Sequence, residues 1–258
     1  GVYDDKGRVI QEKLEEEVPD DYQVKIDPVN TMVFTNQYRN ESKKDIKMTI
    51  DWQDEQDKLG KRPASVLVKL NQNSEWYEEE VLNKNNGYEM SFNNLPEFDE
   101  YGNEYVYTLE QEKDAHYEIV NAADLEKPTK SVVIKNKYIN QEKTSFIGSI
   151  QWLDKTNALG KRPNSVNLKL YQKDYNGHLV GSKAFKEKTV IYQTMGLENN
   201  QEMWYFDFES LPKYDEKLNP YQYEVTQDSL SFYDSQVSNN KITNQYTYPE
   251  MTSIGGKV

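Results

Sequence analysis

Hydrophobic and polar residues alternate with a period of two through several short stretches of this 258-residue chain. Ile46, Met48, Ile50 and Trp52 fall on one face, Lys47, Thr49 and Asp51 on the other. Val66, Val68 and Leu70 repeat the pattern, as do Tyr105, Tyr107, Leu109 and Gln111. Successive side chains of a strand point to opposite faces, so one apolar face predicts half-buried antiparallel strands. Turn signals punctuate these stretches at Asn85-Asn86-Gly87, Tyr101-Gly102-Asn103 and Tyr175-Asn176-Gly177. No segment carries a convincing amphipathic helical stripe. About seven short strands in about 100 residues predicts an all-β, immunoglobulin-like two-sheet sandwich.

The pattern occurs twice. Ile46 to Trp52 followed by Gly60-Lys61-Arg62-Pro63 returns as Phe146 to Trp152 followed by Gly160-Lys161-Arg162-Pro163, with 11 residues from Trp to Pro in each. Leu95-Pro96 and Leu211-Pro212 each stand 16 residues before a glutamine, Gln111 and Gln227. The copies close on Ile134-Lys135-Asn136-Lys137-Tyr138 and Ile242-Thr243-Asn244-Gln245-Tyr246. Matched order and spacing over about 100 residues predicts tandem domains. The expected division is residues 42–141 and 142–250 as complete repeats, 1–41 as the second half of another, and 251–258 as the start of a further one. The polar stretches 39–44 and 139–144 fit short linkers.

Composition narrows the class. With 31 Lys and Arg against 44 Asp and Glu, the net charge is −13, which argues against a nucleic-acid partner, since phosphate contacts need clustered cations. There are no cysteines, which excludes disulfides and thiolate metal sites. No long apolar run predicts membrane insertion. The 20 tyrosines lie largely at strand positions, where packing is their first role.

As a set, these motifs resemble the B-type repeat of the Cna protein, a family found in surface adhesins and pilins of Gram-positive bacteria. The resemblance implies sandwiches used as stalks in an extracellular, cell-wall-anchored protein. It also implies a possible intramolecular isopeptide bond, in which a first-strand lysine condenses with a last-strand asparagine beside an acid on a third strand. Such chemistry needs a neutral amine and a protonated carboxyl, and an apolar core supplies both.

At the lysine positions this chain has Ile50 and Ile150, and at the acid positions Gln111 and Gln227; the asparagines remain, as Asn136 and Asn244. Isoleucine cannot attack an amide. Both complete repeats are therefore expected to lack the cross-link, with Gln111 meeting Asn136 and Gln227 meeting Asn244. In the partial repeats Glu16 and Asn36 stand at the acid and asparagine positions, and Lys257 is a candidate lysine.

The acidic run Asp51 to Asp57 fits no calcium-loop spacing and reads as a solvated loop. His116 and His178 stand apart, as exposed loop residues. Lys61-Arg62 and Lys161-Arg162 read as loop residues pairing with nearby aspartates. The expected function is a structural stalk, with no catalytic residues, cofactor or metal, whose partners are the neighbouring repeats. The alternatives are repeats that bind a host protein or glycan, or that assemble laterally with other copies. The longer stretch at 175–200 in the second copy is the expected place for a binding surface.

Overall fold

The computed structural model describes residues 2–10, 17–20, 22–30, 32–38, 41–192 and 202–248. Contacts divide the chain into two compact units, Gly1–Ile139 and Asn140–Val258. The first unit opens with two small antiparallel pairs, β1 (Val2–Tyr3) with β2 (Val9–Ile10), and β3 (Tyr22–Ile26) with β4 (Phe34–Tyr38).

A seven-stranded sandwich follows, formed by β5 (Lys43–Gln53), β6 (Ser65–Gln72), β7 (Glu75–Asn83), β8 (Glu89–Pro96), β9 (Tyr107–Gln111), β10 (Tyr117–Ile119) and β11 (Ser131–Tyr138). One sheet has the order β10-β11-β5-β8, the other β7-β6-β9. All neighbours are antiparallel except the first and last strands, β5 and β11, which run parallel from Lys47 opposite Ser131 to Gln53 opposite Lys137. The period-two positions face inward: Ile46, Met48, Val66, Val68, Leu70, Leu109, Val132 and Ile134 form a buried core. Burial of such side chains contributes about 1.5–3 kcal/mol each.

One short helix, α1 (Ala122–Glu126), escapes the sequence pattern because five residues are too few to show a period of 3.6. It joins β10 to β11 and buries Leu125. Lys84–Asn86 forms a 3₁₀ turn capped by Asn83, and Gly87 ends it in the left-handed region at φ 65°.

The second unit repeats this plan with β12 (Lys143–Leu153), β13 (Ser165–Lys173), β14 (Lys186–Ile191), β15 (Met203–Pro212), β16 (Gln222–Gln227), β17 (Tyr233–Ser238) and β18 (Lys241–Tyr246). Its sheets are β15-β12-β18-β17 and β14-β13-β16, again with first and last strands parallel. One of the differences between the two cores is a steric exchange. Where Met48 faces Met90 in the first sandwich, Gly148 faces Phe206 in the second. A Cβ on Gly148 would lie 2.3 Å from the Phe206 ring and 2.4 Å from the Asn240 carbonyl oxygen, so the large ring requires the glycine.

Candidate functional site

The positions singled out above gather between the two sheets. In the first sandwich β5 carries Ile50, buried two residues before Trp52, and Trp52 lies in register with Asn136 on β11. Gln111 ends β9 in the opposite sheet and faces Asn136 across the core. Gln111 Nε2 donates to Asn136 Oδ1 at 2.9 Å, and Asn136 Nδ2 donates back to Gln111 Oε1 at 2.9 Å. Asn136 is fully buried and Gln111 nearly so. A buried neutral amide is tolerated only when its donors and acceptors are matched, and this reciprocal pair matches one of each.

In the second sandwich Ile150 is fully buried and Trp152 lies opposite Asn244. Gln227 Nε2 donates to Asn244 Oδ1 at 2.9 Å, and Asn244 Nδ2 donates to Gln227 Oε1 at 3.2 Å. A third member joins here. Ser235, opposite Asn244 on β17, donates to Asn244 Oδ1 at 2.7 Å and accepts from Gln227 Nε2 at 3.1 Å. Its counterpart in the first sandwich, opposite Asn136, is the apolar Ile119.

Asn36 lies on the exposed part of β4. Glu16 and Lys257 lie outside the described residues, as does 193–200 of the longer stretch in the second copy. His116 and His178 are both exposed.

The acidic loop after Trp52 differs from its sequence reading at one residue. Asp54 is not solvated but buried, and Arg62 grips it through Nε at 2.6 Å and Nη2 at 2.7 Å. The Tyr117 hydroxyl donates to the same carboxylate at 2.9 Å, the Asp57 amide at 3.0 Å, and the guanidinium lies 5.5 Å from the centre of the Trp52 ring. The pattern is repeated at Asp154, which takes Arg162, the Tyr233 hydroxyl at 2.9 Å and the Asn157 amide at 3.0 Å, with Arg162 5.0 Å from the Trp152 ring centre. Burial by itself raises the Asp54 and Asp154 carboxyls, but the arginine, amide and tyrosine donors outweigh it and hold both below the usual aspartate range. Burial, and then the neighbouring carboxylate, push the Tyr117 and Tyr233 hydroxyls up.

This knot also holds a strained turn. Glu55, Gln56 and Asp57 all have left-handed φ near +60°, as do Lys155, Thr156 and Asn157. Left-handed backbone costs roughly 1–2 kcal/mol per non-glycine residue, so the knot's fixed donors are needed to hold it. The spacing Trp-x-Asp-x7-Arg, present in both copies, was the available sequence signal; the tyrosine, 63 and 79 residues from its aspartate, gave none.

Seven strands in two sheets, parallel first and last strands and a buried amide clasp between the sheets define an immunoglobulin-like repeat module. The Cna protein B-type domain model matches residues 46–137 and 148–245, and the chain belongs to that family. The chain is 29% identical over 252 residues to a collagen adhesin of Staphylococcus aureus, covering 96% of this chain and 19% of that protein. The crystal structure of two B repeat units of the collagen binding protein of S. aureus is 30% identical, with a TM-score of 0.45, covering 94% of this chain and 59% of that one. The shaft pilin SpaA of Lactobacillus rhamnosus GG is 11% identical with a TM-score of 0.26, covering 81% of this chain and 100% of that one.

Proposed function

We propose that the chain is a structural spacer in an extracellular, cell-wall-anchored Gram-positive surface protein, with two complete repeats, 42–141 and 142–250, held closed without an isopeptide bond. The observation that carries this reading is the pairing of first and last strands beside a neutral clasp. Tension enters each sandwich at the start of its first strand and leaves at the end of its last. Because these strands are parallel neighbours, tension loads their ladder in shear, all its hydrogen bonds together. A covalent lysine–asparagine bond would lock that ladder; isoleucine at 50 and 150 offers no amine, and Gln111 and Gln227 offer no carboxyl proton.

The chain spans 19% of the length of its collagen adhesin relative, so it is proposed as one part of a larger protein. The proposed role is mechanical, with no catalytic group, and the neighbouring repeats are its partners. Single-molecule pulling tests the reading. Each sandwich is expected to release its whole strand-to-strand length, at roughly 3.5 Å per residue, and the intact mass is expected to equal that of the plain sequence. A mass lower by one ammonia, or a sandwich that yields no length between its first and last strands, would refute it.

A further inference from the structure

The two sandwiches differ in charge at one rim. Glu78 and Glu80 of β7 stand opposite Leu70 and Val68 of β6, and Lys186 and Lys188 of β14 stand opposite Leu170 and Leu168 of β13. Cross-strand partners share a face, so these are equivalent, inward-turned positions with opposite charge. In the second sandwich the lysines close the rim. Lys186 Nζ donates to the Glu209 carbonyl at 2.6 Å, and Lys188 Nζ donates to the Asp207 carbonyl at 2.7 Å and pairs with its carboxylate. Asp207 and Glu209 belong to β15, the edge of the facing sheet.

The facing edge of the first sandwich is β8, where register places Ser91 and Asn93 at the matching positions. Among the described residues no lysine or arginine pairs across that rim. Glu75, Glu78, Glu79 and Glu80 carry no ion pair among the described residues, and Trp76 beside them is 62% exposed. β7 is a nine-residue edge strand with β6 as its partner in the sheet, against six residues for β14. Asn86 Nδ2 covers the Val81 carbonyl, leaving Glu75 to Glu80 as the open edge.

We propose that this rim is a docking edge for an extended cationic segment of another protein, which adds alongside β7 and places lysine or arginine at alternate positions in the slot between β7 and β8. Three features argue for that occupant. An open strand edge supplies backbone donors and acceptors to an extended chain. The four free carboxylates complement a cationic one. The sister repeat fills the same slot with two lysines at alternate positions. A second copy of this chain is a poor occupant, because each copy carries a net charge of −13 and its alternate lysines on an edge strand, Lys186 and Lys188, are already engaged.

The probe is a fluorescein-labelled peptide of about ten residues alternating lysine with threonine or valine, titrated into the whole chain by anisotropy. Binding is expected to weaken with salt and to slow amide exchange in 75–80. The E78K/E80K variant, which copies the charge of the second sandwich, is expected to bind about tenfold more weakly or worse, and W76S to weaken binding as well. The control E187K/E216K makes the same charge change on the second unit and is expected to shift affinity by less than about twofold. Absence of binding at about 50 mM salt, an equal loss in the control, or full binding by E78K/E80K would overturn the proposal. So would self-association of the unmodified chain that E78K/E80K abolishes.

Discussion

In the first sandwich the clasp is a buried pair, Gln111 and Asn136; in the second it is part-buried and has three members, because Ser235 stands where the first has Ile119. The parallel ladders differ in the other direction. Seven residue pairs join β5 to β11, but five join β12 to β18. The second sandwich thus has more hydrogen bonding within its core and less between the strands that carry tension. Its rim is bridged by Lys186 and Lys188, whereas the first sandwich leaves that rim acidic and open. The two repeats show that one family pattern can hold its fold through different local bonds, provided the sheet-to-sheet polar groups are matched.

The comparison breaks most sharply at the arginine knot. Asp154→Ala removes the carboxylate that grips the buried Arg162 through Nε and Nη2 and is expected to destabilise the second sandwich by about 3–5 kcal/mol. Asp54→Ala is expected to have a smaller effect, because the Arg62 side chain is 24% exposed and that of Arg162 only 7%. Hydrogen exchange resolved by repeat during denaturant titration measures both. Equal losses would mean that the exposure of the arginine does not set the cost.

Gly148→Ala is expected to cost about 1–3 kcal/mol through overpacking, since the Asn240 carbonyl cannot retreat as a side chain would. The same titration reads it, and a neutral result would show that β12 shifts freely against β18. Gln111→Ala is expected to destabilise by about 1–3 kcal/mol, leaving the Asn136 amide unmatched. Gln227→Ala is expected to cost less, because Ser235 still donates to Asn244; Gln227→Ala in a Ser235→Ala background should restore the larger loss.

The smallest effect expected is the response to pH. Asp54 and Asp154 are held below the ordinary carboxylate range when folded, so the unfolded chain binds protons first as pH falls. Their contribution is complete above the unfolded value near 4 and is lost as pH falls through the folded values. Both sandwiches should lose stability on acidification, and Asp54→Asn and Asp154→Asn should flatten that loss in the unit that carries the change.

The alternation of Ile46, Met48, Ile50 and Trp52, repeated one hundred residues later, contains the strands, the sandwich and the tandem organisation, because strand periodicity is local and reports burial directly. The same alternation put Gln111 and Asn136 on inward faces, and Gln227 and Asn244 likewise. It was silent on α1, which is too short to show a period. It also misplaced Asp54 among solvated acids, since nothing near Asp54 in the chain signals Tyr117 or the depth of the Arg62 stack.

Sequence by itself thus determined which residues turn inward and that no amine stands at positions 50 and 150. Tertiary structure alone decided several of the polar contacts: Ser235 with Asn244, Tyr117 with Asp54, and, among the described residues, lysines across one rim but none across the other. Those contacts join residues far apart in the chain, and a local pattern that reports one side chain's burial carries no information about what lies across the core.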